Sequence, residues 1–291
     1  MTTRARRLAA ALIEAGVRPG DRVGIHLERS PEVISAILAT WWAGAAYVPL
    51  DPGHPAERLA YVLEDAEPAA LIATSPLLPG VPTVHPGVRA ATPADWPRVV
   101  PDAPAYVMYT SGSTGRPKGA VVRHDSLCAL FADFDARFAD GPSVVLAGTG
   151  YSFEISLVEL VWPLTCGRTI QLTSHRTVVD DLPDPAGAFY QCTPSAARLH
   201  TASPQGRRFL AGLGVLLVGG EPLDADLAAD LAHLVPGPVF NGYGPTEATV
   251  YTTFWEVVPD APVLIGCHWR AYGATSSTMS DGTCRPAAPA N

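Results

Sequence analysis

The stretch Tyr109-Thr-Ser-Gly-Ser-Thr-Gly-Arg-Pro-Lys118-Gly119 constrains this chain more than any other. The apolar run Ala105-Tyr-Val-Met-Tyr109 leading into it reads as a buried strand that delivers the backbone to the end of a sheet. The loop then collects anion donors. Gly112 and Gly115 let successive backbone N–H groups turn inward as a nest, and Thr110, Ser111, Ser113 and Thr114 add hydroxyls to the same concavity. Lys118 adds a compact positive charge. It is the only lysine in the chain, every other member of the 20 Lys and Arg being arginine. The pattern is not a Walker loop, which needs glycine where Pro117 stands and Ser or Thr where Gly119 stands. Gly119-Ala-Val-Val122 is short and β-branched, so it reads as a return strand rather than a helix. The alternative, a plain Ser/Gly-rich turn, does not account for the order of hydroxylated, small and cationic residues. The loop is read as a phosphate site.

At 291 residues the chain fits one large or two ordinary domains. A net charge of −8 with scattered arginines argues against nucleic acid or an anionic membrane as partner. Cysteines at 128, 166, 192, 267 and 284 are odd in number and lack C-x-x-C spacing, which suits a reducing cytoplasm and neither disulfides nor zinc. Arg4, Arg6 and Arg7 ahead of Leu8 imitate a signal peptide, but Glu14 interrupts the apolar stretch, so an amphipathic helix is expected. No apolar run approaches the length of a membrane span.

Strand and helix then alternate. Arg22 to Leu27 reads as a strand, Ser30-Pro31 as the cap of a helix through Trp42, Tyr47 to Leu50 as a strand, Pro55 to Ala66 as a helix and Ala69 to Ala73 as a strand. Residues 75–104 hold eight prolines and no sustained period, and are expected to be a surface connector. Beyond the central loop come a helix from Asp125, the strand Ser143 to Ala147, an apolar helix from about Glu154 to Leu164, and strands at Ala188 to Gln191, Gly214 to Val218 and Pro238 to Phe240. Such alternation predicts α/β architecture with mainly parallel sheets. Gly148-Thr-Gly150 and Gly212-Leu-Gly214 start a dinucleotide fingerprint but lack its third glycine.

Two further constellations follow strands. Val218-Gly-Gly-Glu221 is a bare strand end against which a planar base can lie. Asn241-Gly-Tyr-Gly-Pro-Thr-Glu247 brings together an aromatic ring, a hydroxyl and a carboxylate; the ring suits adenine, and a carboxylate beside a polyphosphate needs a cation such as Mg²⁺ between them. A turn with a solvated glutamate is the bland alternative.

Together with Ala45-Ala-Tyr-Val-Pro-Leu-Asp-Pro52, these segments resemble the successive signatures of the adenylate-forming superfamily. Within it, the chain is similar from about Arg4 to Gly266 to the amino-acid adenylation domains of nonribosomal peptide synthetases. The resemblance implies an incomplete large N-terminal domain, built of stacked α/β subdomains, at residues 1–266. It implies ATP-dependent conversion of an amino acid or related carboxylic acid to an acyl adenylate with release of pyrophosphate, for transfer to the phosphopantetheine thiol of a peptidyl carrier protein. Lys118, Thr246 and Glu247 are implied as catalytic. ATP is implied to lie on Thr110, Ser111, Gly112, Ser113, Thr114, Gly115, Lys118, Gly220, Glu221, Asn241, Tyr243, Gly244 and Thr246, with Mg²⁺ on Glu247. The acyl pocket is implied at Glu154, Ile155, Val158, Gln191, Leu217, Gly219, Gly242, Val250 and Tyr251.

One departure concerns that pocket. Phe153-Glu-Ile-Ser156 stands where these domains usually read Phe-Asp-x-Ser, the aspartate pairing with the substrate ammonium. Glutamate reaches one methylene further, which suits a displaced amine such as that of a β-amino acid, or a smaller substrate; capping of its own helix is the alternative. The ends depart as well. Residues 267–291 lack Val, Ile, Leu and Phe and are expected to be a disordered tail without strand, and the chain is expected to be truncated at both ends, to fold poorly by itself and to turn over poorly. The family's ribose-binding aspartate and C-terminal lysine find no match, since Asp281 lacks the Tyr-x-Thr-Gly context and Lys118 is the sole lysine. The rival readings are an acyl-CoA or aryl-acid ligase with the same ATP loops, and a non-catalytic nucleotide-binding remnant.

Overall fold

The computed structural model describes residues 1–93, 95–111, 116–173, 183–259 and 261–265, and the backbone of a short strand at 267–268. Two sheets carry the fold. The first is built from β1 (Arg22–His26), β2 (Ala46–Pro49), β3 (Ala70–Ala73), β4 (Thr83–Val84), β5 (Pro104–Ser111) and β6 (Pro117–Arg123), in the order β4-β3-β1-β2-β5-β6. All its neighbours run parallel except the β5–β6 hairpin. The second contains β7 (Val144–Ala147), β8 (Thr169–Leu172), β9 (Phe189–Cys192), β10 (Val215–Gly219), β11 (Val239–Tyr243), β12 (Thr253–Glu256) and β13 (Cys267–His268), in the order β13-β12-β11-β10-β9-β7-β8. Its last two strands are antiparallel additions to a parallel sheet.

The strands are apolar on both faces because both faces are covered. In β2, Ala46 and Val48 join a small core with Val62 and Leu63 of α3 (Ala56–Ala66), while Tyr47 between them points into the main core. In β10, Leu216 and Val218 pack under α9 (Ala225–Leu234), whereas Val215 and Leu217 join the main core. That main core is continuous between the sheets. It unites α1 (Thr2–Glu14) and α2 (Pro31–Trp42) with α4 (His124–Arg137), α5 (Ser156–Leu160) and α6 (Trp162–Thr165), and at its centre Trp162, Phe134, Phe138 and Phe189 meet at ring distances of 5.1 to 5.9 Å. On the outer face of the second sheet, α7 (Pro194–Thr201) and α8 (Pro204–Leu210) begin as their sequence dictates: Thr193 and Ser203 accept backbone N–H groups through their hydroxyls, with proline at the first helical position.

Several elements differ from expectation. The single helix over 154–164 is two, because Pro163 lacks the N–H that would bond Glu159 and its ring crowds that carbonyl, so the helix breaks at Val161 (φ −120°, ψ −51°). Ser30 starts α2 by position only; its hydroxyl donates to the Glu28 carbonyl at 3.1 Å. The proline-rich connector does enter the fold. Val84 in β4 is buried beside β3, and Trp96 packs at 6.2 Å from Trp42. β8 and β12 were not anticipated, each being a run of only four residues. The expectation of no strand beyond Gly266 fails at Cys267–His268, since pairing with β12 uses backbone groups and asks nothing of side-chain pattern. Residues 269–291, where a disordered tail is expected, lie outside the described residues. No helix among the described residues is long and apolar enough to cross a membrane.

The end of α3 offers a stability test. Exposed Glu67 closes that helix in the left-handed region, φ 43° and ψ 60°. This conformation costs a residue with a Cβ about 1–2 kcal/mol, part of which glycine returns through its larger unfolded-state entropy. Glu67→Gly should therefore raise the unfolding free energy by up to about 1 kcal/mol, seen as a higher urea midpoint at unchanged slope. A lower midpoint would contradict the assignment.

Candidate active site

Both sheets direct their parallel strands so that the carboxyl ends of β1 and β2 meet the end of β7, and three side chains fasten this junction. Tyr151, just past β7, places its hydroxyl 2.9 Å from the Leu27 carbonyl and 3.1 Å from the Leu50 carbonyl. Arg29, just past β1, donates to the carbonyls of Ala147 and Thr149 at the other sheet and, at 3.3 Å, to that of Thr173. Burial lowers the pKa of this guanidinium, and the charges of Glu159 and Asp51 oppose that shift. Glu159 is fully buried in α5. Its carboxylate accepts from the Thr149 N–H at 2.9 Å, from the Thr149 hydroxyl at 2.5 Å and from the Gln191 amide at 3.0 Å. Sequence reading passed over these three residues. The available signal was a glutamate inside the apolar run Ser156-Leu-Val-Glu-Leu160, which has to be buried and paired.

The hairpin β5–β6 carries the phosphate-type loop. Thr110 pairs with Lys118 across it, so both side chains stand on one face. Lys118 is exposed, and no partner for its ammonium is found among the described residues. Gly112, Ser113, Thr114 and Gly115 lie outside the described residues, and of Ser111 only the backbone is described. The hairpin is positioned from α3, whose Arg58 donates to the Tyr109 carbonyl at 3.1 Å, Tyr61 to the Pro117 carbonyl at 3.1 Å, and Asp65 accepts from the Tyr109 hydroxyl at 2.6 Å. These sites recur at helical spacing, a second feature that the sequence offered.

The strand β6 runs against the short turn Thr246–Ala248, so the hairpin that carries Lys118 lies beside the turn that carries Thr246 and Glu247. Thr246 is buried and Glu247 exposed. Glu154, half-buried, hydrogen-bonds Thr246 rather than capping α5; its pKa is raised by burial first and by the charge of Glu247 besides. The turn ends on Thr249 and Val250, both at positive φ (64° and 69°). Two successive β-branched residues in that region are costly, and they reverse the chain so that Tyr251 enters the core while Glu247 stays outside.

Beyond β10 and β11 lies a cavity of about 360 Å³, bordered by Gly220 to Leu223, Asn241 to Pro245 and Val263 to Ile265. Tyr243 stands at its edge, 52% exposed. The Asn241 amide donates to the Leu264 carbonyl at 2.8 Å, which ties β11 to the 263–265 wall of the cavity. Glu221 is likewise committed, accepting from the N–H and hydroxyl of Ser195 at 3.0 and 2.5 Å, so its side chain caps α7. The assigned acyl residues gather between Glu154 and the β10–β11 pair, and only Glu154 and Ile155 among the nine are not buried. The structure thus brings the Lys118 hairpin, the Thr246–Glu247 turn, Glu154 and the Tyr243 cavity to one edge of the two sheets.

Comparison with known proteins identifies this arrangement: the AMP-binding enzyme family matches residues 1–275. The chain belongs to that family. The match continues through Gly266, nine residues past the boundary read from sequence. Among curated relatives of this AMP-binding enzyme, the dimodular nonribosomal peptide synthase of Bacillus subtilis is 38% identical over 270 residues, covering 85% of the chain and 11% of the synthase. Phosphinothricin tripeptide synthetase PhsC of Streptomyces viridochromogenes is 37% identical over 303 residues, covering 97% of the chain and 27% of the synthetase. The chain therefore spans a small part of the lengths of these relatives. Of solved structures, the four-domain nonribosomal peptide synthetase holo-AB3403, bound to AMP and glycine, superposes with a TM-score of 0.79 at 33% identity over 91% of the chain and 20% of its own. The N-terminal subdomain of Klebsiella oxytoca NpsA gives a TM-score of 0.81 at 22% identity, over 92% of the chain and 72% of its own, and so shares the fold. The expected fold and resemblance to amino-acid adenylation domains are borne out.

Burial raises the Glu159 pKa to about 7, against an ordinary value of 4.5. Between those values the native state binds more protons than the unfolded chain, so stability falls as pH rises from about 4.5 through about 7. Glu159→Gln, which does not titrate, should remove that part of the pH dependence. Urea midpoints of both proteins from pH 4.5 to 8 measure the difference, and parallel curves would contradict an acid held in its proton-retaining form.

Proposed function

We propose that this chain activates an amino acid with ATP. A carboxylate oxygen of the amino acid attacks the α-phosphorus, the bond to the bridging oxygen breaks, and an aminoacyl adenylate forms as pyrophosphate leaves; no proton moves in this step. The adenylate is then consumed by a carrier-protein thiol on its phosphopantetheine arm. The observation that carries the proposal is the convergence of the sole lysine, a threonine-glutamate turn, a buried-edge carboxylate and a base-sized cavity at one sheet edge.

Each group has a distinct task in this reading. Lys118 and the hydroxyl and glycine loop before it hold the β- and γ-phosphates, and Lys118 acts as a compact charge against the leaving pyrophosphate. The Thr246 hydroxyl lies beside the α-phosphate. Tyr243 stacks on adenine against the bare backbone of Gly220 and Gly244, while Asn241 fixes the far wall of the base cavity. Glu154 receives the substrate ammonium. A carboxylate that burial and a neighbouring negative charge drive toward protonation gains a counter-ion when that ammonium arrives, which favours an amino acid over a fatty or aryl acid. The curated relatives that match this chain are peptide synthetases, which supports the same choice.

Glu247 is the residue that would hold Mg²⁺. Its carboxylate is exposed, and a single hard oxygen donor fits an ion that takes its remaining ligands from phosphates and water. When bound, Mg²⁺ supplies neutralisation of phosphate charge. The protein's own contribution is orientation, since catalysis of phosphoryl-centre displacement rests on placement and charge rather than on a protein nucleophile.

Lys118→Ala should weaken ATP binding by about ten-fold or more at millimolar Mg²⁺ without lowering the thermal midpoint, because an exposed lysine contributes little to folding. Lys118→Arg should recover only part of it, the planar fork being poorly suited to a nest of N–H groups. Calorimetry decides the matter: equal ATP affinity in wild type and Lys118→Ala removes the phosphate assignment.

A further inference from the structure

Gly219 and Gly242 are paired directly across the β10–β11 ladder, forming a patch of bare backbone at the carboxyl ends of the two strands. The Tyr251 ring lies on that patch. A Cβ added at Gly219 would come within 2.8 Å of the ring and one at Gly242 within 2.7 Å, so the ring occupies the space a ligand would otherwise reach. Tyr251 is 1% exposed and braced by the rings of Phe134 and Phe254 at 6.3 and 5.2 Å.

The ring is also locked at its tip. Its hydroxyl donates to the Gln191 carbonyl oxygen at 3.0 Å. Gln191 cannot turn away, because its amide nitrogen spends one N–H on the Ile155 carbonyl at 3.1 Å and the other on Glu159 at 3.0 Å. With both donors used and 2% exposure, the Gln191 side chain serves to hold Tyr251 and has no donor left for a substrate. The hydrogen-bonded series Thr149, Glu159, Gln191, Tyr251 therefore runs from the junction between the sheets to the floor of the acyl site. Of the residues around this ring that are assigned to the acyl site, Glu154 and Ile155 are the ones left partly exposed.

We propose that Tyr251, held over the Gly219–Gly242 backbone by Gln191, restricts this chain to amino acids whose side chain is a hydrogen or a methyl group. The inference rests on the reading that the acyl group enters beside Glu154. It also gives the longer reach of Glu154 a purpose: a small substrate seated above the Tyr251 ring lies far from the platform, and the extra methylene follows its ammonium outward.

The test uses the 291-residue chain and calorimetry with sulfamoyl adenosine and its glycyl, alanyl, leucyl and phenylalanyl derivatives. The glycyl and alanyl compounds should bind at least about ten-fold more tightly than the leucyl and phenylalanyl compounds, the discrimination ordinary for a steric limit of this kind. Tyr251→Ala should shift the ratio of leucyl to glycyl affinity by about ten-fold or more toward leucyl. Tyr251→Leu, which keeps an apolar side chain in the core while losing the hydroxyl lock, should shift it in the same direction and serves where the alanine variant fails to fold. Equal affinities for the four acyl compounds, or a ratio unmoved in a folded variant, overturns the inference while sulfamoyl adenosine itself still binds. Failure of sulfamoyl adenosine to bind overturns the proposed function, and the substrate limit falls with it.

Discussion

The architecture depends on how a half-buried arginine is satisfied where the two sheets meet. Arg29 leaves β1 and spends its guanidinium on the carbonyls at the end of β7, so the carboxyl ends of the two sheets cannot drift apart without stranding a cation in the interior. Glu159 in α5 holds the N–H and hydroxyl of Thr149 beside those carbonyls, and Tyr151 returns the connection from the second sheet to Leu27 and Leu50 of the first. A junction made only of apolar contacts would tolerate sliding. Directed bonds to backbone carbonyls fix both distance and angle, which a site assembled from two sheets requires.

The same junction reaches the chemistry through Glu159. The Glu159 carboxylate holds Gln191, and Gln191 holds Tyr251 against bare backbone. On the other side the β5–β6 hairpin is carried by three residues of α3 and laid against the Thr246–Ala248 turn. The Lys118 loop and the Glu154 region are thus placed by separate elements of one rigid frame. The loop itself can be polar and glycine-rich because its position is set by the strands on either side.

Much of this was legible in the sequence, for identifiable reasons. Apolar period marked α2, α3 and α4 and the central strands, because those elements bury continuous apolar faces. Chemistry-bearing residues fell at or just beyond strands, Lys118 near the start of β6, Tyr243 at the end of β11, Thr246 and Glu247 in the turn after it, and Glu154 in the link from β7 to α5. What escaped depended on contacts between distant segments. Arg29 looked like a surface arginine, and its partners lie about 120 positions away. Glu221 and Asn241, assigned by resemblance to the adenine site, do border the cavity, but the bonds of their side chains to Ser195 and Leu264 could not be read from sequence. The break at Val161 was open to prediction from Pro163 alone, whereas β12, Thr253-Phe-Trp-Glu256, is too short to show a period of its own.

The central claim is that the cavity bordered by Tyr243 and the 263–265 segment receives the adenine of ATP whose phosphates lie on the Lys118 hairpin. Photolabelling of the chain with an azido-adenine analogue of ATP, followed by peptide mapping, tests it directly. The label is expected on the peptide containing Tyr243 or on that containing Val263 to Ile265, and excess ATP is expected to suppress it. Labelling on the α7–α9 face, or labelling at the cavity that ATP does not suppress, would contradict it.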